Sequence, residues 1–216
     1  MKRLVALGVL AAASLTACDQ TNETPASLDT ASANPPLFDK QEFTIISRDV
    51  AGNATKTEYV RDWGHRRVEV FESPSDSMRV VYEGGLAWAI LPPNDQVFER
   101  EDPTSDILAA RISEAEGNTF GQRRMMASVG ALPTGETGTF AGHECEYYQA
   151  SAPGQSGRVR VCVADWGGVL YMKAASPGGE IEVVATTVRL GDGGPDSAFE
   201  FDRAGAQRVT PSSPVG

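Results

Sequence analysis

Met78-Arg79-Val80-Val81-Tyr82-Glu83-Gly84-Gly85-Leu86-Ala87-Trp88-Ala89-Ile90-Leu91 is the stretch that decides the fold. Met78, Val80 and Tyr82 alternate with Arg79, Val81 and Glu83, and Leu86, Trp88 and Ile90 repeat with period two beyond a Gly-Gly pair. Period two on both sides of a two-residue glycine turn is a β-hairpin. Pro92-Pro93-Asn94-Asp95 breaks the second strand, and 96–100 resumes it. Upstream, 43–45, 54–63 and 65–72 read as further short strands, with Val68 and Val70 on one face and Phe71 on the other. Downstream, 138–150, 157–166, 168–174, 179–190 and 197–201 carry the same signal. Strands at near-hairpin spacing make an antiparallel meander.

The middle of the chain reads differently. Asp102-Pro103 suits a helix start, with an acid at the N-cap and Pro at N1. Ile107, Leu108 and Ile112 form one stripe on a helix expected to end near Gly117. A second helix is expected from about Thr119 to Val129, closed by Gly130 and Pro133. The expected fold is mainly β (α+β): a strongly curved antiparallel sheet, or incomplete β-barrel, with two helices across its concave face.

The ends of the chain speak about compartment. Met1-Lys2-Arg3 is basic, and 4–15 is an apolar run too short to span a bilayer as a helix. It closes with Leu15-Thr16-Ala17-Cys18, which resembles the bacterial lipobox. The resemblance implies removal of 1–17 and a diacylglycerol thioether on Cys18. The expected partner is therefore the membrane, held through lipid alone, with the chain facing the periplasm of the cell envelope. Asp19 leans the anchor toward the inner membrane by the enteric sorting rule. Residues 18–36 hold Thr, Ser, Ala, Asn and Pro with one Leu and no aromatic, so they read as a lipidated cysteine and flexible tether. The body is expected at 37–204, and 205–216 reads as a flexible tail.

The composition fits. Against 29 Asp+Glu the chain has 19 Lys+Arg, a net charge of -10. Removing 1–17 takes away Lys2 and Arg3 but no acid, which leaves -12. Such a body is not a nucleic-acid partner, because phosphate binding needs a basic face. With Cys18 acylated, Cys145 and Cys162 remain in an oxidising compartment. Their midpoint falls between Pro153 and Gly154, inside the turn that joins 138–150 to 157–166. Opposed in one hairpin, they are expected to form a disulfide.

Catalytic chemistry has little to stand on. The chain has 2 His, His65 and His143. His143 and Glu144 are adjacent on a strand and point to opposite faces, so they do not chelate together. Gly191-Asp192-Gly193-Gly194-Pro195-Asp196 lacks the alternating acids and closing Glu of a calcium loop and reads as a turn. Glu99-Arg100-Glu101-Asp102 reads as a solvated strand end and cap. No nucleophile elbow, zinc helix or phosphate loop is present. No catalytic residue, metal or cofactor is expected.

One further set stands out. Phe120, Met125 and Met126 on the second helix are expected to face Tyr82, Trp88 and Ile90 on the sheet. Met suits adaptable apolar surfaces. Such a set either packs as core or lines a greasy cavity for acyl chains.

The run from Tyr59 to Arg100, with Gly64-His-Arg-Arg67-Val-Glu69, Met78 to Tyr82, Gly85-Leu-Ala-Trp88-Ala-Ile-Leu-Pro92 and Gln96-Val-Phe98, resembles the LolA/LolB superfamily of periplasmic lipoprotein carriers. Gly138-Thr-Phe-Ala-Gly142-His-Glu-Cys145 and Val161-Cys-Val-Ala-Asp165-Trp-Gly-Gly168-Val-Leu170 resemble an uncharacterised branch often grouped with it. The resemblance covers about 43–201. It implies the incomplete barrel, a cavity that takes acyl chains, and a polar gate aligned with Arg67, where the following aromatic is replaced by Val68. The expected function is a non-enzymatic, membrane-anchored lipoprotein that binds a lipid or the acyl chain of a lipoprotein. The alternative is an interaction, sensor or assembly module that uses the same fold to bind another envelope protein.

Overall fold

The computed structural model describes residues 36–51, 53–93, 95–104, 106, 107, 110, 126, 130–151, 158–176 and 179–208. The signal, Cys18 and the tether up to residue 35 fall outside them, as do Phe120, Met125 and the end of the tail.

Twelve strands build one sheet. They are β1 (Phe43–Asp49), β2 (Thr55–Arg61), β3 (Arg66–Ser73), β4 (Asp76–Glu83), β5 (Leu86–Leu91), β6 (Gln96–Glu101), β7 (Leu132–Phe140), β8 (His143–Ser151), β9 (Arg158–Ala164), β10 (Val169–Ser176), β11 (Gly179–Leu190) and β12 (Gln207–Arg208). The order across the sheet is β12-β6-β5-β4-β3-β2-β1-β11-β10-β9-β8-β7. Two meanders thus join where β1 pairs with β11, and only the short β12–β6 pair is parallel. β7 also comes back toward β11, so that half of the sheet bends over itself.

Among the described residues the two helices expected across the concave face are not present. Between β6 and β7 only Thr104, Asp106, Ile107, Ala110 and Met126 are described with helical backbone, and they make up no helix element. Ile107 N donates to Pro103 O at 2.8 Å, one turn of helical backbone, and the rest of both stretches lies outside the described residues. The Asp102 cap is nonetheless made: its Oδ1 accepts from Thr104 N at 3.3 Å and from Thr104 Oγ1 at 2.6 Å.

Two strand expectations also change. The stretch 138–150 is two strands, because Ala141 and Gly142 both take left-handed φ (50° and 80°) and turn the chain from β7 into β8. The stretch 197–201 is not a strand. Its start lies in a 3-10 turn, Asp196–Ala198, and the chain then runs as a strap over the sheet toward β12.

The sheet buries both faces. On the inner face Phe43, Ile45, Val60, Val163, Leu170, Tyr148 and Ala185 form the larger core with Met126. Leu37 and Phe38 close this core where the chain enters, their amides donating to the carbonyl of Trp63. Phe43 stands edge-on to Phe38 (5.0 Å) and to Trp166 (4.7 Å). Asp62, Trp63 and Gly64 all have left-handed φ, and a Cβ on Gly64 would lie 2.6 Å from the Phe38 ring, so glycine is required where this plug seats. On the outer face of β2–β6, Val68, Val81, Trp88, Ile90 and Val97 form a second core under Ala198 and Phe199 of the strap.

The disulfide Cys145–Cys162 is formed, with Cα atoms 5.4 Å apart. Its register differs from expectation. Cys145 opposes Ala164 and Cys162 opposes Tyr147, so the bridge runs diagonally and the hairpin midpoint moves to between Gly154 and Gln155. The right-handed twist of a strand pair draws one diagonal together, which lets such a pair bridge.

Candidate functional site on the inner face

Alternation along β1 fixes which side chains share the inner face. Phe43 opposes Val60 and Ile45 opposes Glu58, so Lys56, Glu58 and Val60 of β2 point the same way as the core. Across β2–β3, Glu58 opposes Glu69 and Lys56 opposes Phe71. Across β3–β4, Arg67 opposes Tyr82 and Phe71 opposes Met78. The inner face of β2–β4 therefore carries Lys56, Glu58, Arg67, Glu69 and Tyr82 beside Phe71 and Met78.

Two carboxylates directly opposed on neighbouring strands repel. Lys56 relieves this pair, its Nζ lying 2.5 Å from Glu69 Oε1 and 3.6 Å from Glu58 Oε2. The Tyr82 hydroxyl donates to Glu69 Oε2 at 3.1 Å. The Arg67 guanidinium covers the Tyr82 ring at 4.8 Å, and its Nη2 lies 3.9 Å from Asp102 Oδ2. The cluster thus reaches from β2 to the segment that leaves β6.

Its electrostatics hold each group in one state. Burial works against the charge on Lys56, but Glu58 and Glu69 outweigh it and raise the ammonium above its ordinary value. Burial likewise works against the charge on Glu69, while Lys56 and Arg67 hold the carboxyl below the usual range. Burial and the Glu69 charge push the Tyr82 phenol up. A general acid or base works best with its pKa near the operating pH, and these three are all moved away from it. The arrangement suits binding: fixed charges and a hydroxyl, flanked by the half-buried side chains of Phe71, Met78 and Phe98.

The sequence-derived site residues divide. Tyr82 belongs to this cluster. Trp88 and Ile90 do not, because the Gly84-Gly85 turn sets Tyr82 opposite Ala87 and Val81 opposite Trp88. Trp88 and Ile90 are buried in the outer core, where the Trp88 indole N–H donates to Glu99 Oε2 at 3.1 Å. Met126 is buried in the inner core, and Phe120 and Met125 lie outside the described residues. Arg67 points to the inner face and is tied to Asp102 and Tyr82. His143 packs edge-on to Trp166 at 6.4 Å. Among the described residues no group of three His, Cys, Asp or Glu gathers as a metal set.

Sequence reading missed Lys56, Glu58 and Glu69. The signal was present: counting back in twos from Val60 places all the inward residues of β2, and Lys56 is one of four lysines in the chain. It also missed the role of Arg61. This side chain clasps the 191–196 turn, donating from Nε to Gly193 O (3.0 Å), from Nη2 to Gly194 O and from Nη1 to Asp196 Oδ1 (2.7 Å).

No family model matches the chain, and no curated protein matches it. Among solved structures the chain is similar to an uncharacterized conserved protein from Thermus thermophilus, at 8% identity and a TM-score of 0.54, over 79% of this chain and 91% of that one. That likeness shows the fold alone. Two structures of PNGF-II align with TM-scores of 0.43 and 0.48 at 15% and 14% identity, and the match covers 31% of their length. At those scores the alignment carries no argument about this chain.

Proposed function

We propose that this chain is a non-enzymatic lipoprotein of the bacterial envelope, anchored through Cys18 and facing the periplasm, that binds an amphiphile on the inner face of its sheet. A lipid or the acyl chain of a lipoprotein is the ligand, in keeping with the resemblance to the LolA/LolB carriers. The observation that carries the reading is the juxtaposition on β2–β4 of half-buried apolar side chains, Phe71 and Met78, with the paired Lys56–Glu69–Tyr82 group. The apolar side chains take the hydrocarbon and the ordered polar group takes the head. The lipobox at Cys18 and the acidic body support attachment through lipid rather than through a basic patch.

Native mass spectrometry of the full chain purified from bacterial membranes tests this. Co-purifying lipid, lost in a Phe71→Asp, Met78→Asp double variant, is the expected result. A chain that carries no lipid overturns the reading and favours a protein-interaction module.

A further inference from the structure

The chain that follows Cys18 enters the body at one end of the sheet. Antiparallel pairing brings the start of β1, the end of β2, the end of β11 and the start of β10 to that same end. Residues 36–39 pass over it, with Leu37 and Phe38 donating to Trp63 O and Asp39 donating to Trp166 O. Trp63, Val169 and Leu190, all exposed, belong to this end.

Trp63 is the unusual one. Trp88 and Trp166 are buried, but Trp63 is 38% exposed. Among the described residues no hydrogen bond, cation or ring engages its indole. Its backbone, by contrast, is fixed. Trp63 N donates to Gln41 O at 3.0 Å, and its carbonyl accepts from Leu37 N at 2.8 Å and Phe38 N at 3.2 Å. Asp62 and Trp63 both take left-handed φ, 52° and 51°. Such a backbone is rare for a bulky residue and persists only where the surroundings enforce it. The turn thus holds an indole outward instead of folding it into the core. An amphipathic ring presented in this way fits the level of lipid head groups.

An open concavity of about 400 Å³ lies beside the ring, lined by Pro36, Asp62, Trp63 and His65. A carboxylate next to an indole face is a setting that takes an ammonium group. The charges nearby agree. Arg61 and Arg66 are matched by Asp196 and Glu83. Burial and the Asp165 charge raise the Asp39 carboxyl above its ordinary value, against the pull of Lys40. With a net charge of -10 on the chain, an anionic surface is repelled and a zwitterionic one is not. Residues 19–35 span at most about 60 Å when fully extended, so an anchor at Cys18 keeps this end within reach of its own bilayer.

We propose that this end of the sheet docks on the anchoring membrane, with Trp63 at the head-group level and the ammonium of a zwitterionic phospholipid in the concavity beside Asp62. The docking rests on the anchor at Cys18 and not on lipid binding at the inner face.

Bromine quenching of the acylated full chain in vesicles tests it. One set of vesicles is phosphatidylethanolamine with phosphatidylcholine, the other phosphatidylglycerol, both brominated in the acyl chains. The emission that Trp63→Phe removes is the Trp63 signal. It is expected to be quenched and blue-shifted in the zwitterionic vesicles and unquenched in phosphatidylglycerol, although the anchor holds the body equally close to both. Asp62→Asn, which tolerates the same left-handed backbone, is expected to lessen the quenching in the zwitterionic vesicles. Three results overturn the proposal: Trp63 unquenched in both vesicles, quenched equally in both, or quenched as strongly in Asp62→Asn as in wild type. Intact mass of the same preparation reads acylation separately. A chain without acyl mass overturns the anchor and the docking together, whereas an acylated chain with Trp63 unquenched overturns the docking alone.

Discussion

Lys56 on β2 and Glu69 on β3 meet at 2.5 Å on the inner face, although neither is opposite the other in the ladder. Lys56 reaches diagonally to separate two carboxylates that the register forces together. Their side chains are 30% and 18% exposed, so the pair is shielded but not sealed.

The first prediction is a pH profile. Glu69 is held below its ordinary value of 4.5, so its contribution to stability is present above 4.5 and is lost as pH falls through the lower folded value. Lys56 is raised above 10.5, so its contribution is complete below 10.5 and is lost as pH rises past the folded value. Stability from this pair is therefore flat between those limits. Glu69→Gln is expected to cost about 2 kcal/mol at neutral pH and to remove part of the acid limb. Urea melts across pH measure both; an acid limb identical in wild type and variant refutes the assignment.

Cys145 and Cys162 close a segment with a sequence separation of 17, and both are buried. The double change to Ala is expected to lower unfolding free energy by about 3 kcal/mol on the chain-entropy account. Because the bridge is buried, dithiothreitol alone is expected to reduce it slowly, and rapidly once urea is added. Alkylation followed by intact mass reads the rate.

Tyr82 and Trp88 are separated by the sheet, so their substitutions are expected to dissociate. Trp88→Ala costs about 3–5 kcal/mol as a core truncation, while Tyr82→Phe costs about 1 kcal/mol through the lost hydrogen bond to Glu69. Lipid retention in native mass spectra responds to Tyr82→Phe and not to the conservative Trp88→Phe. The reverse pattern contradicts the face assignment.

Gly194 has φ +76°, and a Cβ there would collide with the Tyr59 ring. Gly194→Ala is expected to destabilise by about 2 kcal/mol or more, from backbone strain and the displaced ring together. Loss of the Arg61 clasp follows, readable as faster amide exchange at 193–199.

Cys18→Ser removes the expected acylation site. Metabolic labelling with palmitate is expected to mark the wild-type chain and leave the variant unlabelled. A labelled variant excludes the anchor.

The strands were legible where alternation is clean. β4 and β5 follow from Met78, Val80 and Tyr82 and from Leu86, Trp88 and Ile90. The relation between those two triads was equally legible, since a two-residue turn fixes the register, but grouping by chemistry put Tyr82 and Trp88 on one wall. The Cys145–Cys162 pairing could be read from spacing and compartment; its diagonal register could not, because loop length shifts a hairpin by whole residues. The break at Ala141-Gly142 was hidden because alanine rarely takes left-handed φ. The ionic cluster escaped because Lys56, Glu58 and Glu69 read as solvated strand residues until both faces of the sheet are known to be covered. Of the stripes in 102–129 only 102–104, Asp106, Ile107, Ala110 and Met126 lie among the described residues, too few to make up a helix element.

An open sheet of twelve strands must end somewhere, and the two margins of this one are finished differently. β12 pairs with the free side of β6 at Phe98 and Glu99. Among the described residues no strand pairs with the far side of β7, where Pro133 lacks an amide donor and Glu136 is exposed. A proline without a donor and an exposed acid both disfavour the docking of a further strand along that margin.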